Sequence, residues 1–337
     1  MRNTEDFRKI SMHKILQIHF RISRSEFSKA ERKKIILQSV FVVALGLFLY
    51  GYISCAAAKN NTASSISSEE TSKETRLKSP ELKNAALVDM QKIMTSRVAA
   101  IPDPLTFVLK DGETVRLVSL DTPGLYDVEP AEIAIRGKNA LEEVFIDETV
   151  HVYQGSKKGS GATDRMGHPL VHIVRERDNL WAQGVLLENG FARVRSTKDN
   201  LDLVSLMLAL EERARKGEQG LWSLEKYGIF DAMKAENAFG EFHLVQGKVY
   251  SIATVGNTIY VNFGSDWKTD FTIAIPSKIR QKFIARKTDP MSWKNYLIRV
   301  RGFVENYNGP YIEIDHPERI EILEIIGNGK TIAGNDG

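Results

Sequence analysis

The sequence predicts a mainly β chain with α-helices. It reads as a β-barrel with helices packed on it, then a second small barrel, behind one transmembrane or signal helix. Three observations carry this. Residues 35–54 form an uncharged apolar run. Short alternating apolar runs separated by turn signals fill residues 106–175 and again 242–325. Between those sets lies one long amphipathic stretch, Leu201 to Lys216. Of the 337 residues, 42% are hydrophobic and 26% charged, values that allow a packed core. The length leaves room for two ordinary domains and further segments.

The formal net charge of +3 divides unevenly. Residues 1–59 hold 11 Lys/Arg against 4 Asp/Glu. Residues 98–223 hold 15 against 20, and residues 240–325 hold 11 against 10. The basic excess therefore flanks the apolar run, and the globular part is mildly acidic. That balance argues against a strong, sequence-independent grip on nucleic acid, which needs Lys and Arg to neutralise phosphates. The single cysteine, Cys55, excludes an internal disulfide framework.

Ile35 to Ser54 (IILQSVFVVALGLFLYGYIS) carries no charge. About 20 helical residues span roughly 30 Å, the thickness of a bilayer's hydrocarbon core. Arg32, Lys33 and Lys34 stand before it, and Tyr50 and Tyr52 at its far end. This places the basic leader, residues 1–34, in the cytoplasm and the rest across the membrane. An uncleaved anchor, a signal cleaved near Ala56-Ala57-Ala58, and a lipid-modified Cys55 all remain open. Met12 is an alternative start. Residues 55–97 read as a polar linker, rich in Ser, Thr, Asn, Glu and Lys, followed by a short helix over Glu81 to Arg97.

Residues 98–223 form the first domain. Thr106 to Leu109 and Thr114 to Leu117 flank Asp111-Gly112, a hairpin signal. The second run continues to Asp121-Thr122-Pro123. A helix over Glu132 to Phe145 follows, then a strand, Val150 to Gln154, and a Gly/Ser/Lys loop. Leu170 to Arg175 is a strand, Asp178-Asn179 a turn, and Trp181 to Asn189 a helix that Gly190 stops. Leu201 to Lys216 is the long helix, and Gly220-Leu221-Trp222-Ser223 closes the unit.

Four motifs stand here in order: Arg116-Leu117 followed by Asp121-Thr122-Pro123; Thr163-Asp164-Arg165-Met166-Gly167; Gly190-Phe191-Ala192-Arg193-Val194; and Gly220-Leu221-Trp222-Ser223. In this, the segment resembles the thermonuclease (staphylococcal nuclease-like) family. The resemblance implies an OB-type nuclease-like barrel and calcium-dependent cleavage of phosphodiesters. It implies that Arg116 stabilises phosphoryl charge and that Asp121, with Thr122 beside it, belongs to the metal site. It also places Leu105 at the family's first metal-site aspartate, Gly124 at its general-base glutamate, and His168 at its second arginine. Leucine cannot ligate a cation and glycine cannot hold a proton. Losing a general base costs about 10²- to 10⁴-fold in rate, and losing a charge-stabilising donor about 10²- to 10³-fold. Glu113, Asp127 and Glu129 are nearby acids that could substitute. The structural alternative for Arg116 and Asp121 is a strand arginine and a loop aspartate that together fix a turn.

Residues 224–239 read as a link. Residues 240–325 then run strand–strand–strand–helix–strand–strand, the order of an OB fold, with residues 326–337 as a tail. This part resembles the carboxy-terminal extension attached to some bacterial thermonuclease-family proteins. OB folds often bind single strands by stacking bases on aromatics over a basic groove. Tyr260, Trp267, Arg299 and Arg301 are the candidates for such contacts, while alternation turns Ile259, Val261 and Phe263 to the core.

The seven histidines show no metal-ligand spacing, and no phosphate-cradling glycine loop is present. The expectation is a membrane-anchored extracytoplasmic binding or scaffold protein with a degenerate nuclease-like barrel and no cofactor. The alternative is a weak calcium-dependent nuclease of the cell envelope. Expected partners are the membrane through 35–54, and single-stranded nucleic acid or an envelope protein.

Overall fold

The computed structural model describes residues 77, 78, 80–125, 131–155, 162–266, 268–327 and 330–333. The expected leader, apolar run and Cys55 lie outside the described residues, as do nearly all of the polar linker, Asp127, Glu129, Trp267 and part of the Gly/Ser/Lys loop. No helix among the described residues is long and apolar enough to cross a membrane. Residues 74–337 form one compact unit, mainly β with some helices.

The first domain is a closed barrel. Strand β1 (Gln91–Asp103) pairs antiparallel with β2 (Thr106–Leu109) and with β5 (Thr149–Gln154). Strand β2 pairs with β3 (Thr114–Leu117), β3 runs parallel to β6 (Leu170–Arg175), and β6 returns to β5. The Asp111-Gly112 hairpin forms as expected, with Gly112 at φ +89°. The helix expected over Glu81 to Arg97 does not form. A single 3₁₀ turn, Asn84–Leu87, is followed by strand from Gln91. Its apolar spacing fits a helix, but Met94, Thr95 and Ser96 pair with Val152, His151 and Val150. Distant pairing overrides weak local propensity.

Helix α1 (Ala131–Phe145) covers the barrel with Ile133, Ala134, Leu141 and Phe145. Phe145 packs edge-on against Phe107 at 5.7 Å between centroids, with neither ring exposed. Helix α2 (Ala182–Glu188) is buried over Ala182 to Leu187. Its Gln183 is satisfied inside: Nε2 donates to the Val171 carbonyl at 2.7 Å. The two motif glycines touch backbone to backbone. A Cβ on Gly190 (φ +69°) would lie 2.0 Å from the Gln219 carbonyl, and one on Gly220 would lie 2.3 Å from the Gly190 carbonyl. No side chain fits at either position.

His172 on β6 is 1% exposed and lies 5.7 Å from the Trp181 ring. Burial lowers its pKa to about 4, weakly opposed by Asp202. The folded state therefore refuses a proton that the unfolded chain accepts below its ordinary value of 6.5. The stability this provides is complete above that value and is lost as pH falls towards 4. Urea unfolding at pH 7 and pH 5 is expected to differ by about 2 kcal/mol from this group. The difference should shrink in His172→Phe; an unchanged difference would assign the acid sensitivity elsewhere.

Beside the barrel, β4 (Leu120–Asp121), which follows β3, forms a two-stranded ladder with β7 (Arg193–Val194), and helix α3 (Val204–Lys216) comes next. The expected link is divided: Leu224 and Tyr227 pack with the first core, and its later part joins the second domain. Strand β8 (Ile229–Asp231) runs parallel to β9 (Phe242–Lys248), and Ala232, Ala235 and Ala238 are buried in the second core. Strands β9 and β10 (Ser251–Val255) lead to β11 (Thr258–Asn262) and β12 (Thr272–Pro276). Helix α4 (Ser277–Ala285) follows, with Phe283 against Trp293 at 5.1 Å. Strand β13 (Leu297–Phe303) pairs with β9, and β15 (Pro310–Glu313) lies parallel to β12 and antiparallel to β14 (Glu305–Asn306). That order is OB-like. Strand β16 (Ile320–Gly327) adds to β13, and the expected tail supplies β17 (Lys330–Ala333), paired with β16. Where the sequence predicts a second barrel, the described strands form two five-stranded sheets, β10-β11-β12-β15-β14 and β17-β16-β13-β9-β8. Ile259, Val261 and Phe263 are in the core, as alternation predicts.

Candidate functional site

The chain reverses direction after β3 through Ser119, at φ +62°. This sets Leu120 and Asp121 as a short strand opposite Val194 and Arg193. Asp121 Oδ2 accepts from Arg193 Nε at 2.8 Å, and Oδ1 accepts from Arg195 Nη1 at 3.1 Å. Both arginines then reach Phe242 on β9 of the second domain, and Arg193 also stacks on Tyr227, which packs in the first core. The Arg193 guanidinium lies 5.0 Å from the Tyr227 ring centroid and 4.9 Å from that of Phe242. Arg195 lies 5.6 Å from Phe242 and 4.7 Å from Phe303. Cations over aromatic faces attract, more strongly when desolvated, and the Arg193 side chain is 9% exposed.

Arg116 does not meet Asp121. Its Nε lies 3.6 Å from Asp164 Oδ2, while His168 Nδ1 lies 3.2 Å from the same oxygen. Asp164 is the organiser of this loop: Oδ1 accepts from the backbone amides of Met166 and His168 at 2.8 and 2.9 Å. Burial pushes its pKa up, but these hydrogen bonds and His168 outweigh it and hold the carboxyl below its ordinary range. The Thr122 hydroxyl donates to the Pro123 carbonyl at 2.9 Å. The Leu105 side chain packs on the first core, and Gly124 is exposed. Glu113 is exposed in the β2–β3 turn.

The donor set does not fit a calcium ion. Calcium takes six to eight oxygens. Of these positions, Leu105 and Gly124 offer no side-chain oxygen, and both oxygens of Asp121 already accept from guanidinium groups. Among the described residues, no three His, Cys, Asp or Glu side chains converge as a metal-binding group.

Of the candidate nucleic-acid contacts on the second domain, the three that lie among the described residues do not come together. Tyr260 lines an open pocket. Arg299 and Arg301 are on the opposite sheet, buried against the first domain. Arg301 is 1% exposed; its Nη2 donates to Glu211 Oε1 at 2.9 Å and to Glu321 Oε1 at 2.7 Å. Its Nη1 donates to Glu211 Oε2 and to the Val194 carbonyl, both at 3.1 Å. Arg299 donates from Nη2 to Gln246 Oε1 at 2.8 Å and from Nη1 to Glu321 Oε2 at 3.2 Å. These two arginines, expected beside Tyr260 as phosphate contacts, are held between two domains instead.

Several residues that matter here carry no local sequence signal of their role. Glu211 is fully buried on α3 and also accepts from the Val194 amide at 2.6 Å. Arg193 and Arg195 have the period-2 spacing that puts two side chains on one strand face, which is the clue available in advance. Tyr307 is flagged by the Asn308-Gly309 turn that follows it, with both residues at positive φ.

Barrel, helices and motif glycines thus define a nuclease-like domain followed by an OB-like extension. Residues 114–224 match the family described as staphylococcal nuclease homologue. The match covers about a third of the chain and supports a nuclease-like domain there. No curated protein matches the chain significantly.

Proposed function

We propose that this chain is a membrane-anchored, extracytoplasmic binding or scaffold protein whose nuclease-like barrel no longer cleaves phosphodiesters. The observation that carries the proposal is the double ion pair on Asp121. A carboxylate held by two guanidinium groups is a poor metal ligand, because the cation must displace both. Arg193 and Arg195 in turn pack on Phe242 and Phe303 of the second domain. The aspartate at a family metal position therefore serves to join two domains. Leu105 and Gly124, without a metal donor or a base, support the same conclusion. The charge-free run at 35–54, behind Arg32, Lys33 and Lys34, supports membrane attachment.

The test incubates the purified full-length protein with single-stranded DNA and with RNA, in Ca²⁺ or in EDTA. No cleavage above the blank is expected in either. Chelator-sensitive cleavage that disappears in Asp121→Ala would contradict the proposal and establish a nuclease.

A further inference from the structure

The five-stranded sheet β10-β11-β12-β15-β14 of the second domain carries a pocket of about 570 Å³, lined by Tyr260, Tyr307, Tyr311, Asn262, Thr272 and Ser251 among others. That is within the range of small-molecule sites, about 300–1,000 Å³. Its floor is built by strand register. Ser251 pairs with Asn262, Asn262 with Thr272, and Thr272 with Tyr311, so one row of side chains crosses four strands. Ala253, opposite Tyr260 in the adjacent row, is small and leaves the space open. Tyr307 comes in from the turn between β14 and β15 and lies 5.5 Å from the Tyr311 ring.

The floor is polar, buried and neutral. Thr272 Oγ1 donates to Asn262 Oδ1 at 3.1 Å, and Asn262 Nδ2 donates to Ser251 Oγ at 3.3 Å. Asn262 and Thr272 are each 7% exposed. An amide has two donor hydrogens and two acceptor lone pairs, and a serine hydroxyl keeps a proton to donate. Hydrogen-bonding capacity therefore remains after the internal chain is made. Among the described residues, no charged side chain lines the pocket. Two carboxylates stand at its border: Glu305 is opposite Tyr311 in the ladder, and Tyr311 Oη donates to Glu313 Oε2 at 3.2 Å. Burial, then Glu313, raise the Tyr311 pKa, so the phenol stays protonated.

Aromatic walls over a floor of neutral donors and acceptors suit a ligand with an apolar ring face and hydroxyl edges. The carboxylates of Glu305 and Glu313 at its border oppose phosphate. We infer that this pocket binds an uncharged saccharide ring of a glycan, not a nucleotide. The inference rests on the proposed binding role and names its ligand class.

Calorimetric titration of the full-length protein tests it, with cellohexaose, maltohexaose and chitohexaose as probes and an oligothymidylate as the anionic comparison. Binding of at least one oligosaccharide is expected, weakened tenfold or more by Tyr260→Ala and by Tyr307→Ala. Tyr307 is 64% exposed, so its removal leaves the fold intact. Three outcomes would overturn the inference: no binding by any of the three sugars, sugar binding indifferent to both substitutions, or oligothymidylate binding that Tyr307→Ala abolishes. If sugars fail while no nuclease activity is found, the non-cleaving role stands without this ligand.

Discussion

Arg301→Met is expected to destabilise the protein by about 3–5 kcal/mol. Arg301 and Glu211 are 1% and 0% exposed, and the guanidinium meets Glu211 through two nitrogens at 2.9 and 3.1 Å. Burial works against the charge on Arg301, but Glu211 and Glu321 outweigh it and hold its pKa above the ordinary value. Removing the arginine leaves Glu211 buried with the Val194 amide and Arg215 as partners. The buried carboxylate loses its two-nitrogen partner and keeps only these weaker ones, and that loss carries most of the cost. For a unit of this size, the loss corresponds to a drop in Tm on the order of 10 °C. The double variant Arg301→Met with Glu211→Met should recover much of it, because buried pairs are often replaceable by apolar side chains of similar volume. Equal losses in single and double variants would mean that packing, not charge, governs the site. Glu321 adds a pH signature. Burial raises its pKa, but Arg301 and Arg299 lower it further, to a net value below the ordinary 4.5. Its contribution is present above that value and is lost as pH falls through the depressed folded pKa.

Much of the fold is legible from local pattern. The Asp111-Gly112 turn, strand β6 and the glycine that ends α2 depend on neighbours within a few residues. Misread elements depend on distant partners. Met90 and Ile93 fit a helix by spacing, yet β5, more than fifty residues on, makes the segment from Gln91 a strand. The link and tail look featureless because β8 and β17 become strands only by pairing with β9 and β16. At the site, the motif named Asp121 and Arg116 but not their partners. Alternation puts Arg299 and Arg301 away from Ile298 and Val300. It does not tell that α3, ninety residues earlier, covers that face, and so two buried ion-pair residues read as a solvent-facing basic groove.

The double ion pair gives Asp121 a sign of effect that separates the two roles. A carboxylate set among other acids to hold a metal is repelled in the metal-free protein, so its neutralisation is neutral or stabilising. Here Asp121 faces two arginines instead. Asp121→Asn keeps the shape and removes the charge, and Arg193, with a side chain 9% exposed, loses its anion. The expected cost is about 1.5–3 kcal/mol, the size of a hydrogen bond to a charged group. Arg195, 43% exposed, adds little because solvent screens it. Both arginines pack on Phe242, so the loss should also loosen the contact between the domains. Urea unfolding of the full-length protein in EDTA, wild type against Asp121→Asn, reads this directly. A lower midpoint in the variant is the predicted result; an unchanged or higher midpoint would contradict the assignment of Asp121 to the domain junction.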